Sequence, residues 1–373
     1  MKLSVIILNY KVPYHLLLCL QSVQKALQNL DAEIIVVDNR SEDESCQLVK
    51  VHFPGVVLFP NEKNEGFSKG NNRGVEIARG EYICFLNPDT MVAESVFKNL
   101  LQFAGNHPKS GAIGVKMIDG TGNFLPESKR NLPTPKVAFQ KLLGYTTNYY
   151  AKNLNPNENR EVEILPGACM LMKKSRYMEV GGLDEDFFMY GEDIDLSYKF
   201  TKAGYQNYYC GEESILHFKG ESTVKDAEYA KRFYGAMRLF HQKHFRSNFA
   251  MDFLVKNGLE VAKFSTRLLS KSRKKTTSKI KETYLVAEGE GIVGEEIKNV
   301  FGTPRVISPT VIGRQKIDNT LLIFDVATLS FQQILTGMEK LKNQENQFRM
   351  LSTKFNFVIG SDQSAAKGKV LLL

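Results

Sequence analysis

Through residues 1–90 short, wholly apolar runs alternate with amphipathic stretches. Leu3 to Leu8 is the first such run. Pro13 to Leu30 follows, with Leu16, Leu20, Val23 and Leu27 at helical spacing. Glu33 to Val37 is a second strand run, then come a helix over Glu44 to Val51 and a strand over Val56 to Phe59. A helix over Lys69 to Ala78 and a strand over Tyr82 to Leu86 complete the series. Strands that are apolar throughout and separated by helices predict an α/β fold with a mainly parallel sheet covered on both faces. Such sheets hold ligands beyond the C-terminal ends of their strands. That rule singles out Asn9, Asp38 and Asp89, each just past a strand.

The pattern weakens from Asp119 to Arg160, where Gly, Pro, Asn and aromatic residues predict a long loop with a lid or binding role. A strand is expected over Ile164 to Met172, broken by Pro166-Gly167. Phe249 to Lys281 mixes Phe253, Leu254, Leu259 and Phe264 with Lys256, Lys263, Arg267 and the run Arg273-Lys274-Lys275. Beyond it strands are expected over Thr283 to Ala287, Thr320 to Val326, Phe355 to Ile359 and Val370 to Leu373, with helices over Val293 to Phe301 and Leu329 to Met350. The chain divides accordingly into a first unit over 1–245, a basic amphipathic segment over 246–282 and a small Rossmann-like α/β unit over 283–373.

Composition sharpens this only slightly. The 373 residues suit two domains, and the net charge of +8 suits an anionic small ligand, an anionic membrane surface or nucleic acid without choosing among them. The five cysteines, Cys19, Cys46, Cys84, Cys169 and Cys210, form no CxxC pair and read as reduced thiols of a cytosolic protein. The opening Met1 to Leu8 is too short and too soon polar for a signal peptide, so it is read as a buried strand. No apolar run is long enough for a membrane span, which takes about 18 residues.

Five segments carry candidate chemistry. Val37-Asp38-Asn39-Arg40-Ser41-Glu42-Asp43 sets carboxylates around a turn, where they can accept from a nucleobase or ribose or simply cap the next helix. Asn64-Glu65-Gly66-Phe67-Ser68-Lys69 leads into a helix whose amides, with Lys69, suit a phosphate. Asn87-Pro88-Asp89-Thr90 offers a carboxylate for a hard divalent cation, or a helix cap. Gly191-Glu192-Asp193-Ile194-Asp195 crowds three acids into four positions, and Ile215-Leu216-His217 ends an apolar strand on a histidine.

Together with Val5–Tyr10, Glu33–Asp43, Gly80–Thr90, Leu165–Lys174, Gly181–Tyr205 and Ile215–Thr223, these segments resemble family 2 glycosyltransferases, nearest the rhamnosyltransferase-like branch, over about residues 1–245. The resemblance implies the GT-A nucleotide-sugar-binding fold, an inverting mechanism and a divalent cation, Mg²⁺ or Mn²⁺. It implies a nucleotide-sugar donor, dTDP-rhamnose or a UDP-sugar, and a saccharide or lipid-linked acceptor. Under it Asp193 is the general base, with Glu192 and Asp195 as neighbours that raise its pKa by like-charge repulsion. Asp38 and Asp43 meet the nucleoside, alongside Asn9, Asn64, Gly66 and Asn87. Asp89 takes the last position of a DxD-type metal motif whose first position is here Asn87, and His217 lies near the metal. Lys69 and Arg130 are the expected diphosphate partners. Displacement of a nucleoside diphosphate needs positive charge at the leaving group and a carboxylate at the attacking hydroxyl.

The second unit contains Gly289, Gly291 and Gly294 in a GxGxxG spacing between a strand and a helix, the context of dinucleotide binding and hence of an oxidoreductase. The next strand, near Arg305 to Ser308, has no acid for a ribose, and Glu290 would repel a pyrophosphate, so a tight turn is the simpler expectation. A non-catalytic sugar-nucleotide-binding subunit is the other alternative. The cations of Phe249–Lys281 predict attachment to the inner face of the cell membrane, against a linker helix packed on the first unit. No nucleic-acid module accompanies them, so nucleic acid is not an expected partner.

Overall fold

The computed structural model describes residues 1–134, 136–137, 140, 145–219, 227–245, 280–289, 294–364 and 368–373. The first unit runs β1 (Leu3–Asn9), α1 (Pro13–Ala26), β2 (Ala32–Asp38), α2 (Ser45–His52), β3 (Val57–Pro60), α3 (Gly66–Ile77), β4 (Tyr82–Leu86), β5 (Thr90–Val92), α4 (Val96–Asn106) and β6 (Ser110–Ile118). It continues through β7 (Arg160–Val162), β8 (Cys169–Lys173), α5 (Lys174–Glu179), α6 (Glu192–Lys202), β9 (Gln206–His217) and α7 (Ala227–His244). The described strands join in the order β3-β2-β1-β4-β8-β6-β9-β5, with β7 beside β9. Strands β1 to β4 are mutually parallel where they pair, β8 is antiparallel to both its neighbours, and β6 and β9 are parallel. This is the mixed, largely parallel α/β sheet expected of the GT-A fold. Val5, Ile6 and Ile7 are all buried, as a strand covered on both faces requires.

Register places the site. Asn9 pairs with Asp38, so β1 and β2 end level. Ile7 pairs with Leu86, which brings Asn87 and Asp89 out beside that same edge. On the far side Thr90 pairs with His217, and Phe218 N donates to Asp89 O at 3.0 Å. Residues some 130 positions apart are thereby set side by side by backbone hydrogen bonds alone.

The second unit comprises β10 (Glu282–Val286), α8 (Glu295–Phe301), β11 (Arg305–Ile307), β12 (Thr320–Asp325), α9 (Phe331–Leu341), β13 (Gln347–Ser352), β14 (Phe357–Gly360) and β15 (Lys369–Leu372). Its sheet runs β11-β10-β12-β13-β14-β15, parallel as far as β13 and antiparallel after it. One apolar cluster joins Leu16 and Leu20 of α1 to Phe324, Phe331 and Leu335, so the two sheets share a core. Glu94 caps α9 from across the boundary: its Oε1 and Oε2 accept from Phe331 N at 2.8 Å and Gln332 N at 3.0 Å. The next orphan amide, Gln333 N, goes to Ser330 Oγ in a capping box. Lys25 donates to Val326 O and Leu329 O, and Lys116 pairs with Glu339 at 2.8 Å.

Several expected elements are revised. The helix expected over Leu329–Met350 ends at Leu341, and Gln347–Ser352 is a strand, because the polar link between them turns through positive φ at Asn343 and Glu345. The strand expected over Ile164–Met172 survives only as Cys169–Lys173, since Pro166-Gly167 interrupts it and Ile164 bridges to Arg130 instead. The expected loop Asp119–Arg160 is well tied down where described, with Leu125, Ser128, Lys129, Tyr149 and Ala151 buried. The middle glycine of the GxGxxG and the basic segment as far as residue 279 lie outside the described residues.

Glu94→Ala should lower the stability of the protein by about 1 kcal/mol, the usual loss on removing a helix cap. Thermal or urea unfolding measures it, and Glu94→Gln, which keeps one acceptor, should lose less.

Candidate active site

At the level ends of β1 and β2 the Asp38 carboxylate is buried and accepts three hydrogen bonds. Oδ1 accepts from Asn9 Nδ2 at 2.8 Å and Ser41 Oγ at 2.6 Å, and Oδ2 accepts from Ser41 N at 2.9 Å. Asn9 is thus a positioning partner of Asp38. Asp43, exposed, accepts from Ser45 N at 2.9 Å just ahead of α2.

The neighbouring turn is built on Asn39, a residue the sequence did not single out. Its Nδ2 donates to Asn64 Oδ1 at 2.8 Å and Gly66 O at 3.1 Å, and its Oδ1 accepts from Glu65 N at 2.9 Å and Asn61 Nδ2 at 3.1 Å. Gly66 is required there: φ is +82°, and a Cβ would sit 2.4 Å from Phe188 O. The same carbonyl accepts from Phe67 N at 2.6 Å, which ties this turn to the segment leading into the acidic cluster. Lys69 pairs with Glu65 at 3.2 Å and is not on the cavity wall.

Beyond β4, Asp89 is buried with Oδ1 3.4 Å from His217 Nε2, and Asn87 Nδ2 lies 3.4 Å from the same nitrogen. Burial pushes the Asp89 carboxyl up, but the charge and hydrogen bond of His217 outweigh it and hold the group below its ordinary range. Among the described residues no three His, Cys, Asp or Glu side chains gather as a metal cluster. Asp89 and His217, with the Asn87 amide beside them, are the groups that would hold a divalent cation here.

The acidic cluster opens α6. Gly191 stands before it at φ +84°, and Glu192, Asp193 and Asp195 fill its first turn, where the helix dipole favours negative charge. Asp193 Oδ2 accepts from Arg130 at 2.5 Å, and Oδ1 accepts from Ile194 N at 2.8 Å. Arg130 also donates to Leu165 O at 3.1 Å. Burial weakens the Arg130 charge, and Asp193 and Tyr149 more than restore it. Asp195 is fully buried and faces away from the cavity. Burial, reinforced by the neighbouring Asp193 charge, pushes the Glu192 carboxyl up to about 8. The acid displaced is therefore Glu192, chiefly by burial.

These groups surround one cavity of about 290 Å³. Its wall includes Asn39, Asn64 and Gly66 on one side, Asn87, Asp89 and His217 beyond β4 and β9, and Glu192 and Asp193 on α6. Lys219 lines it too, paired with Glu127, whose carboxyl burial pushes up and the lysine pulls down more strongly. Lys219 was legible in the sequence only as the lysine two places after His217. Of the expected residues, Asn64, Gly66, Asn87, Asp89, Glu192, Asp193 and His217 meet at the cavity, and Asn9, Asp38 and Arg130 support residues next to it.

A family model described as glycosyl transferase family 2 matches residues 4–181. The chain is 31% identical over 242 residues to an N-acetylglucosaminyl-diphospho-decaprenol L-rhamnosyltransferase of Mycobacterium tuberculosis, covering 60% of this chain and 78% of that one. It is 26% identical over 214 residues to rhamnosyltransferase WbbL of Escherichia coli, covering 52% and 78%. A mannosyltransferase of Pyrobaculum calidifontis, solved with GDP-Man and Mn²⁺, overlays with a TM-score of 0.48 at 15% identity, covering 73% of this chain and 76% of that one.

The Glu192 shift has a consequence for stability. A carboxyl whose folded pKa is raised to about 8 stabilises the fold at low pH and loses that contribution as pH rises from its ordinary value of 4.5 through 8. Glu192→Gln cannot ionise, so the melting temperature of the variant should gain on the parent steadily between pH 5 and 8.5. A gap independent of pH would return Glu192 to an ordinary ionised acid.

Proposed function

We propose, on the premise that this chain belongs to glycosyl transferase family 2, that its cavity binds a nucleotide sugar and passes the sugar to a saccharide hydroxyl with inversion. The chain is a glycosyltransferase; the roles below and the identity of its substrates are the proposal. The observation that carries it is the meeting of Asp89, His217 and Asp193 on one cavity from three distant parts of the sequence.

Asp38, held rigid by Asn9 and Ser41, faces the nucleoside. The Asn39–Asn64–Gly66 turn shapes the adjoining wall. Asp89 and His217 hold Mg²⁺ or Mn²⁺, which when bound supplies positive charge to the leaving diphosphate. Lys219 adds a second cation from the same wall. Asp193 accepts the proton of the attacking hydroxyl, and Arg130 fixes the carboxylate's orientation so that its free lone pairs face the cavity. Glu192, its carboxyl pushed up chiefly by burial, stands beside it on the same cavity wall. dTDP-rhamnose or a UDP-sugar as donor, and a lipid-linked saccharide as acceptor in surface polysaccharide synthesis, are supported by the names of the mycobacterial and Escherichia coli relatives. An oxidoreductase reading through the second unit has no comparable support, since the family match and the relatives are glycosyltransferases.

A thermal-shift panel of nucleotide sugars with and without Mn²⁺ tests the donor, since a ligand of the folded state raises its melting temperature. Asp193→Asn should reduce transfer by about 10²- to 10⁴-fold, the usual share of general base catalysis, with donor binding nearly unchanged. Asp89→Ala should abolish the Mn²⁺-dependent part of the shift. Normal turnover in the first variant, or no effect of EDTA in the parent, would reject the corresponding role.

No helix among the described residues is long and apolar enough to cross a membrane. Work at the inner membrane surface, held by the cations of Phe249–Lys281, is proposed from the sequence of that segment. The intact protein should co-sediment with anionic liposomes at physiological salt, and changing Arg273, Lys274 and Lys275 together to Gln should weaken this. Protein left in the supernatant counts against it.

A further inference from the structure

We infer that the last turn of α7 clamps the acidic turn in place, with His244 as a positioning residue that acts on Asp193 through Asp195. The inference rests on the reading of Asp193 as the base.

The acidic turn lacks the usual local supports. No side chain caps α6, and the two residues before it, Tyr190 and Gly191, both have positive φ, +70° and +84°. Backbone in that region is costly for a tyrosine and persists only where its surroundings hold it. The surroundings here are α7. Its Phe240 shares an apolar cluster with Phe187 and Ile194, and a Cβ on Gly191 would lie 3.3 Å from Ala236.

Two consecutive polar residues then grip the segment on both sides. Lys243 pairs with Asp184 and, at 2.5 Å, with Asp186, ahead of the turn. His244 Nε2 lies 2.5 Å from Asp195 Oδ1, behind it, while Lys199 Nζ lies 2.9 Å from Asp195 Oδ2. A carboxylate only accepts, so His244 donates from Nε2. Asp195 has no exposed surface and takes no part in the cavity. A buried carboxylate two residues from Asp193 thus takes one hydrogen bond from a different helix, beside the Lys199 pair on its own, and the direction of the first turn of α6 is fixed by that contact.

The amide of Gln can reproduce the donor at Nε2, whereas that of Asn reaches only the Nδ1 position. The full-length protein with Mn²⁺ is assayed for release of dTDP from dTDP-L-rhamnose and of UDP from UDP-N-acetylglucosamine. Amide hydrogen exchange over residues 187–195 is measured in parallel. His244→Asn should lower kcat roughly ten- to a hundredfold, as small misplacements of catalytic groups do, with donor KM within about twofold of the parent. Exchange over the turn should quicken. His244→Gln should recover most of both. Equal behaviour of the Asn and Gln variants, or an unchanged kcat and exchange rate in His244→Asn, overturns the clamp. If neither donor is turned over, the exchange rates decide alone. Asp193→Asn, run beside them, separates the two ideas: an active Asp193→Asn defeats the base assignment, whereas an inactive one with an intact His244→Asn defeats only the clamp.

Discussion

Three carboxylates within four residues at the buried start of one helix are a severe electrostatic constraint, and much of the first unit is arranged around relieving it. Burying a charge is tolerable only with a partner or by loss of the charge. Each acid takes a different route. Asp195 has Lys199 and His244. Asp193 has Arg130, brought in by the excursion after β6. Glu192 has no cation of its own and holds its proton instead. Remove the excursion and Asp193 loses its partner; remove α7 and Asp195 keeps only Lys199. The helix dipole helps all three, but at about 0.3–1 kcal/mol it is too small to do the work alone.

The opposite wall is solved by strand pairing. Asp89 and His217 meet because β5 and β9 are antiparallel and in a particular register. A slip of one residue would turn His217 to the other face of the sheet. The wall is therefore as rigid as the sheet, whereas the acidic turn depends on side-chain contacts between helices. The Phe188 carbonyl, which accepts from Phe67 N beside Gly66, is the one backbone bond linking the segment before the acidic turn to the turn opening α3.

How much of this could be read beforehand follows from which forces are local. The strands β1, β2 and β4 and the residues just past their ends were legible because apolar runs and turn residues are local signals. The acidic cluster was legible as a cluster, and the division of labour within it was not. Asp195 and Asp193 differ by whether Arg130, Lys199 or His244 lies nearby, and that is decided by packing. Arg130 and Lys69 were expected at a diphosphate because cations in such sequences suggest it. The structure pairs them with Asp193 and Glu65, while Lys219, a less conspicuous lysine, faces the cavity. Asn39 was missed because a neutral side chain that makes four hydrogen bonds leaves no charge pattern to notice. The helix expected over Leu329–Met350 failed for a related reason: its apolar positions suit either period, and the break at Lys342–Asn346 is a matter of backbone turns.

The second unit shows the same logic applied to a motif. Glycines between a strand and a helix suggest a phosphate site, because the helix N-terminus offers free amides and a positive dipole end. The helix those glycines precede is α8, which has no side-chain cap at Gly294, whereas α9, at the crevice, has two of its first amides taken by a carboxylate from the first unit. Lys25 reaches the carbonyls of the same crossing from α1. An anion and a cation from one unit thus complement the two ends of a turn in the other, over a core they share. That arrangement makes the crevice a docking surface between the units. The C-terminal sheet accordingly buttresses α1, the helix that follows β1 and Asn9.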